Sequence, residues 1–288
     1  MTDHLPLPNS VADLVKSALI EDIGSGDVTT SLTIPKDLTG AARVVARSPL
    51  TVSGLTPFRL SFELLDPTIE IKCLVSDGAT VAAKTALASL TGPAATILTA
   101  ERAALNFLGH LSGIATTTKA LAEKIGPHGA KLLDTRKTTP GLRILEKAAV
   151  RHGGGHNHRV GLFDGILIKD NHIQAAGSIS SAIERARAKA PHLLKIEVEV
   201  ETLEELALAI EAKADAILLD NMTPEQLKTA VLAARKQAKS QGRQIILEAS
   251  GGINIHNAAE IAQTGVDYLS VGALTHSAPC ADIGLDWE

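Results

Sequence analysis

The chain has 288 residues, 45% hydrophobic and 21% charged, with a net charge of −4 and two cysteines. This length fits one large or two modest domains and buries on the order of 75% of the unfolded surface, so no disulfide framework is needed. The charge excludes a general nucleic-acid binder, Cys73 and Cys280 point to a reducing compartment, and without a basic-apolar leader in MTDHLPLPNS or ~18 uninterrupted apolar residues the expectation is a soluble cytoplasmic protein off the membrane.

Val11, Leu14, Val15, Ala18 and Leu19 recur at helical spacing and predict an amphipathic helix over 10–20, capped by Asn9 or Ser10. Strands are predicted over 42–46, 50–53 and 69–75, with a turn at Asp77-Gly78. A helix follows Pro93, from about Ala94 to Leu111, carrying Glu101, Arg102 and Asn106. The first 115 or so residues therefore form a mixed α+β unit.

From Lys131 the rhythm changes. Apolar strands begin near Lys131, Gly165, Leu194, Asp215, Gln244 and Asp267, with helices of good 3.6 periodicity between them. Such alternation implies βα units and a parallel sheet. Polar residues follow nearly every strand, which favours a barrel, where those positions converge on one mouth. They are Asp134, Arg136 and Lys137; Lys169, Asp170 and Asn171; Glu197 and Glu199; Asp220 and Asn221; Glu248 and Ser250; and Gly272.

The densest segment is Arg151 to His172, RHGGGHNHRVGLFDGILIKDNH. It sets three glycines, a His-Arg pair and a Lys-Asp-Asn-His cluster around one buried strand, a pattern suited to an anionic ligand. Gly153 to Gly155 either expose N–H groups to an anion or form a plain surface loop. His152, His156 and His158 could hold zinc, but no cysteine accompanies them, which makes this the minor reading.

In DTRKTTPG, Arg136 and Lys137 end a strand before a helix start after Thr139-Pro140. LEASGGIN and YLSVGALTHS place small-residue turns, Ser250-Gly251-Gly252 and Gly272-Ala273, on the last two strands, a usual place for phosphate. Alternation puts Glu197 and Glu199 on one strand face, where they either pair with Lys169 or Lys195 or serve function. Asp220 ends a fully apolar strand and could hold hydroxyls or Mg²⁺.

Together, EDIGSGDVTT, GPAATILTAERAALNFLGHLSGIAT, DTRKTTPGLR, KAAVRHGGGHNHRVGLFDGILIKDNH, IEVEVE, LLDNM, EASGGI and GVDYLSVGALTHS resemble the quinolinate phosphoribosyltransferases, the carboxylating nicotinate-nucleotide pyrophosphorylases, over almost the whole chain. The resemblance implies an N-terminal α/β sandwich domain (1–115, with the tail 278–288 packed back on it) and a C-terminal α/β barrel of about seven parallel strands (116–277). It implies transfer of phosphoribosyl from phosphoribosyl pyrophosphate to quinolinate, giving nicotinate mononucleotide, pyrophosphate and CO₂ in NAD biosynthesis, with Mg²⁺ as cofactor.

By the same resemblance Arg136, Lys137, His158, Arg159 and Lys169 bind quinolinate, and Arg102 enters from the neighbouring subunit of a homodimer. Ser250, Gly251, Gly252, Gly272, Ala273 and His276 take the phosphate. Lys137, Lys169, Glu199 and Asp220 are the expected catalytic residues, with Glu199 and Asp220 also candidate Mg²⁺ ligands. The competing readings are a phosphoribosyltransferase for nicotinate or another monocarboxylate base, a relative associated with molybdenum transport, and a non-catalytic sensor of phosphoribosyl compounds.

Overall fold

The computed structural model describes residues 8–288; the stretch 1–7, which carries most of the expected absence of a leader, lies outside them. The chain opens with α1 (Pro8–Ile23) and α2 (Val28–Thr33). Because α1 begins at Pro8, a residue preset for a first helical position, the expected caps Asn9 and Ser10 fall inside the helix. Asp27 caps α2: its carboxylate accepts from the Thr30 N–H at 2.9 Å and the Thr30 hydroxyl at 2.6 Å, and Thr99 donates a third bond at 3.0 Å.

Then come β1 (Thr39–Ala46), β2 (Leu50–Thr51), α3 (Leu55–Glu63), β3 (Glu70–Cys73), β4 (Thr80–Val81), β5 (Ala86–Pro93) and α4 (Ala94–Ile125). After them run β6 (Lys131–Leu133), α5 (Arg143–His152), β7 (Ile166–Ile168), α6 (Asp170–Ala176), α7 (Ile179–Lys189) and β8 (Ile196–Val200). The chain closes with α8 (Leu203–Glu211), β9 (Ala216–Asp220), α9 (Pro224–Ser240), β10 (Ile246–Ser250), α10 (Ala258–Ala262), β11 (Tyr268–Ser270), α11 (Ala273–His276) and β12 (Ile283–Trp287). None of the described helices is long and apolar enough to cross a membrane.

Two units divide these elements: residues 1–119, 138–154 and 274–288, and residues 120–137 and 155–273. In the first, an antiparallel sheet of order β12-β1-β5-β3 packs Val44, Leu87 and Leu90 against Phe58 and Phe62 of α3 and Ile97 and Leu108 of α4. The tail does pair with this sheet, β12 lying antiparallel on β1 with Val44 opposite Leu285. Helix α4 passes its expected end because Gly109 and Gly113 are packing sites. A Cβ on Gly113 would collide with the Pro279 carbonyl, and one on Gly109 would lie 2.8 Å from Cys280 Sγ.

The segment 138–154, expected within the barrel, groups with the first unit, as do 116–119 and 274–277. The reason lies in α5. Buried Glu146 accepts from the Thr139 N–H at 3.1 Å and sits 2.8 Å from His110 Nε2 of α4, and His152 Nδ1 is 2.8 Å from Ser53 Oγ.

The second unit is a parallel α/β barrel sheet of order β6-β11-β10-β9-β8-β7. Its strands run apolar, Ala216 to Leu219 being wholly buried, as expected where helices cover the outside. Beyond β6, His156 makes a parallel bridge with Leu133, so a seventh, rudimentary strand flanks that edge. From there the Arg159 guanidinium donates to the Gly165 carbonyl at 3.1 Å, just before β7.

Candidate active site

The carboxyl ends of the barrel strands open onto a cavity of about 390 Å³. Arg136 and Lys137 enter after β6, with Lys137 N–H tied to Thr135 Oγ1 at 3.0 Å. Buried Asp134 accepts from the His158 N–H at 2.9 Å and Asn157 Nδ2 at 2.5 Å. It thereby fixes the segment that carries His158 and Arg159, both lining the cavity. A larger hollow of about 940 Å³ at the opposite strand ends, around Lys131, Ile246 and Tyr268, lies away from this cluster. In a barrel the carboxyl-end mouth is where chemistry resides.

Lys169 follows β7 as the cap of α6, and its Nζ lies 2.7 Å from Glu199 Oε2. On β8 the buried residues Ile196, Val198 and Val200 alternate with Glu197 and Glu199, so both carboxylates face the barrel interior. Of the two outcomes open for them, Glu199 pairs with Lys169, while Glu197 Oε2 takes His158 Nε2 at 3.0 Å. Asp220 ends β9 and accepts from Asn221 Nδ2 at 2.6 Å. Ser250 ends β10 on the same cavity wall.

Gly251 follows at φ +96°, and any side chain there would strike Asn221 Oδ1; Gly252, at φ +63°, faces open space. Consecutive left-handed glycines leave backbone groups accessible to a ligand beside Ser250. Gly272 and Ala273 follow β11, whose Ser270 also lines the cavity.

Arg136, Lys137, His158, Arg159, Lys169, Glu199, Asp220 and Ser250 are thus brought together. Arg102 and His276 belong to the other unit. Arg102 is exposed on α4 beside Glu101 at 3.9 Å, and His276 Nδ1 bonds Ser277 Oγ at 2.6 Å. The glycine run does not present an anion cradle at its start: the N–H groups of Gly153 and Gly154 close α5 on the Ala149 and Arg151 carbonyls. Of the three histidines read for zinc, only His158 has a metal-like neighbourhood among the described residues, with Glu197 and Glu248.

Charge is distributed unevenly in the cavity. Burial pulls the Arg159 guanidinium below its ordinary value, Arg136 adds to this, and Glu197 and Asp164 oppose it. Burial pushes the Glu248 carboxyl up to about 8; Glu197 and Asp134 reinforce this, and His158 and Ser270 oppose it. Glu248 was visible in sequence only as one more polar strand end. The period of two that places it on the same face as Ser250 was the available signal.

Comparison with known proteins agrees along the whole chain. Residues 27–112 match the quinolinate phosphoribosyl transferase N-terminal domain, and residues 114–286 match its C-terminal domain. The chain belongs to the quinolinate phosphoribosyltransferase family. Every cavity residue named above falls in the matched C-terminal domain of the family, and Arg102 in the N-terminal one.

Among family relatives, the probable nicotinate-nucleotide pyrophosphorylase [carboxylating] of Bacillus subtilis is 45% identical over 284 residues, 99% of this chain and 94% of its own. The corresponding protein of Mycobacterium leprae is 43% identical over 281 residues, covering 96% and 97%. The solved structure of the nicotinate-nucleotide pyrophosphorylase from Francisella tularensis superposes with a TM-score of 0.92 at 41% identity, covering both chains fully.

Proposed function

We propose that this chain is a nicotinate-nucleotide pyrophosphorylase (carboxylating): it transfers phosphoribosyl from phosphoribosyl pyrophosphate to quinolinate, releasing pyrophosphate and CO₂ and forming nicotinate mononucleotide for NAD biosynthesis. The observation that carries this reading is the convergence of Arg136, Lys137, Arg159 and Lys169 on one cavity that also holds Glu199, Asp220 and Ser250. Quinolinate carries two carboxylates, and fixed guanidinium and ammonium groups are the partners such a dianion requires.

Arg136 and Arg159 pair with the carboxylates, and Lys137 and Lys169 hold the ring over the ribose. The Ser250-Gly251-Gly252 turn, with Gly272 and Ala273, takes the 5′-phosphate. Pyrophosphate leaves the anomeric carbon as positive charge grows on the ribose, and the Glu199 and Asp220 carboxylates hold the hydroxyls and offset that charge. The pyridine nitrogen then bonds to the anomeric carbon and becomes cationic. The carbon–carboxylate bond next to it breaks, its electron pair stays on the ring carbon beside the positive nitrogen, and that carbon takes up a proton. Positioning carries this chemistry without a protein nucleophile.

A magnesium ion suits the donor set, because Glu199 and Asp220 offer carboxylate oxygens beside the place of the diphosphate. When bound, it neutralises charge on the leaving pyrophosphate. We place Arg102 of a second copy at the quinolinate carboxylates, which makes the active form a homodimer. Its high exposure on α4 supports this assignment. The charged metabolites handled suit a cytoplasmic location. Arg136→Ala and Lys169→Ala test the assignment: each abolishes turnover with the fold retained, and wild-type kcat/KM in both overturns it.

A further inference from the structure

The transfer chemistry above leaves Glu248 unused, although it forms part of the cavity wall. It is only 2% exposed, and its Oε1 has no hydrogen-bond partner among the described residues. The groups facing it are Glu197 from β8, His158 from the segment after α5, Ser270 from β11 and Asp134 after β6. His158 Nε2 lies 3.0 Å from Glu197 Oε2 and 3.8 Å from Glu248 Oε2.

The proton on His158 decides between two readings of this cluster. Its Nδ1 accepts the Arg159 backbone N–H at 2.7 Å, so the ring's own proton resides on Nε2 and points at the two carboxyl groups. A metal on Nε2 would force that proton onto Nδ1, against the Arg159 N–H. The cluster is therefore built for protons. Two ionised carboxylates sharing one buried imidazole N–H would leave one of them without compensation.

Charge in the cavity points the same way. Arg136, Lys137, Arg159 and Lys169 line it together with Glu199, Asp220 and Glu248. Ionising Glu248 would lower by one the positive charge that this set presents to a dicarboxylate. We infer that Glu248 is a positioning and specificity residue that works as a neutral carboxylic acid, keeping the floor matched to a dianionic base and weakening its binding when it ionises. The inference rests on the quinolinate reading above. Burial with Glu197 nearby holds the carboxyl protonated up to about pH 8, in keeping with this role.

The test is the pH dependence of KM for quinolinate in the wild type and in Glu248→Gln, which mimics the neutral acid. In the wild type KM rises about tenfold between pH 7 and pH 9, the rise expected for one group ionising near the middle of that range. The variant lacks this rise, and the difference appears in KM rather than in kcat. An infrared titration of ligand-free protein adds a readout independent of activity: a buried protonated-carboxyl band disappears near pH 8 and is missing in Glu248→Gln. The same KM rise in the variant, or no such band in the wild type at pH 7, overturns the inference. A band present in a wild type that does not convert quinolinate overturns the functional reading instead.

Discussion

Lys169 Nζ lies 2.7 Å from Glu199 Oε2, joining the carboxyl ends of β7 and β8 across the cavity. The pair fixes both side chains on the cavity wall, where the proposed mechanism has Lys169 hold the base and Glu199 face the ribose. With Lys169 about half exposed, the pair adds little to stability, about 1 kcal/mol at most. Lys169→Ala and Glu199→Gln should each lower kcat/KM by at least about a thousandfold. Thermal melting of both variants should stay close to the wild type.

The Ser250-Gly251-Gly252 turn, proposed to take the 5′-phosphate, makes an asymmetric prediction. Gly251→Ala drives a methyl group into Asn221 and forces a side chain onto φ +96°, whereas Gly252→Ala meets nothing within 4 Å and only a left-handed φ of +63°. The second change should cost about 1 kcal/mol. The first should be distinctly more destabilising and should raise KM for phosphoribosyl pyrophosphate. Urea unfolding with steady-state kinetics on both variants checks the order.

Asp27 titrates below the ordinary carboxyl value because the Thr30 hydroxyl and N–H bond its ionised form, with Thr99 adding to them. A depressed folded pKa contributes stability that is fully present above the ordinary value of 3.8 and is lost as pH falls through the folded value. Asp27→Ala should therefore lower the melting temperature by a few degrees at pH 7. The gap should narrow progressively as pH falls below 3.8 and through the folded value, as melting curves taken from pH 7 downward would reveal.

Sequence showed much of this in advance, and the failures are instructive. Alternation in IEVEVE put Glu197 and Glu199 on one face, and β8 does so. Of the polar strand ends, Arg136, Lys137, Lys169, Glu199, Asp220, Glu248 and Ser250 line one cavity, whereas Asp134, Asp170, Asn171, Glu197 and Asn221 are not among its lining residues. Strands β4, β5 and β12 went unread, and β12 belongs to a sheet begun more than two hundred residues earlier, opposite β1. Helix α4 runs on past the expected end near Leu111 to Ile125, and its Gly109 and Gly113 admit the tail at Cys280 and Pro279. The His158–Glu197–Glu248 contact joins three segments distant in sequence, so only the barrel reveals it. In EDIGSGDVTT, Asp27 and the threonines suit a capped turn, and Asp27 does cap α2 while also reaching Thr99.

The proposed role of Mg²⁺ rests on the carboxylates of Glu199 and Asp220, which line the same cavity. Chelation should abolish turnover and added Mg²⁺ should restore it, while Asp220→Asn should raise the Mg²⁺ concentration needed for half-maximal rate. Full activity in excess chelator would remove the metal from the mechanism.

The central claim is that the cavity takes a dicarboxylate base and decarboxylates it during transfer. The direct measurement supplies phosphoribosyl pyrophosphate and Mg²⁺ with either quinolinate or nicotinate and quantifies nucleotide and CO₂. Quinolinate should give nicotinate mononucleotide and CO₂ in equal amounts, and nicotinate should not turn over. Product from nicotinate alone, or nucleotide without matching CO₂, would contradict it.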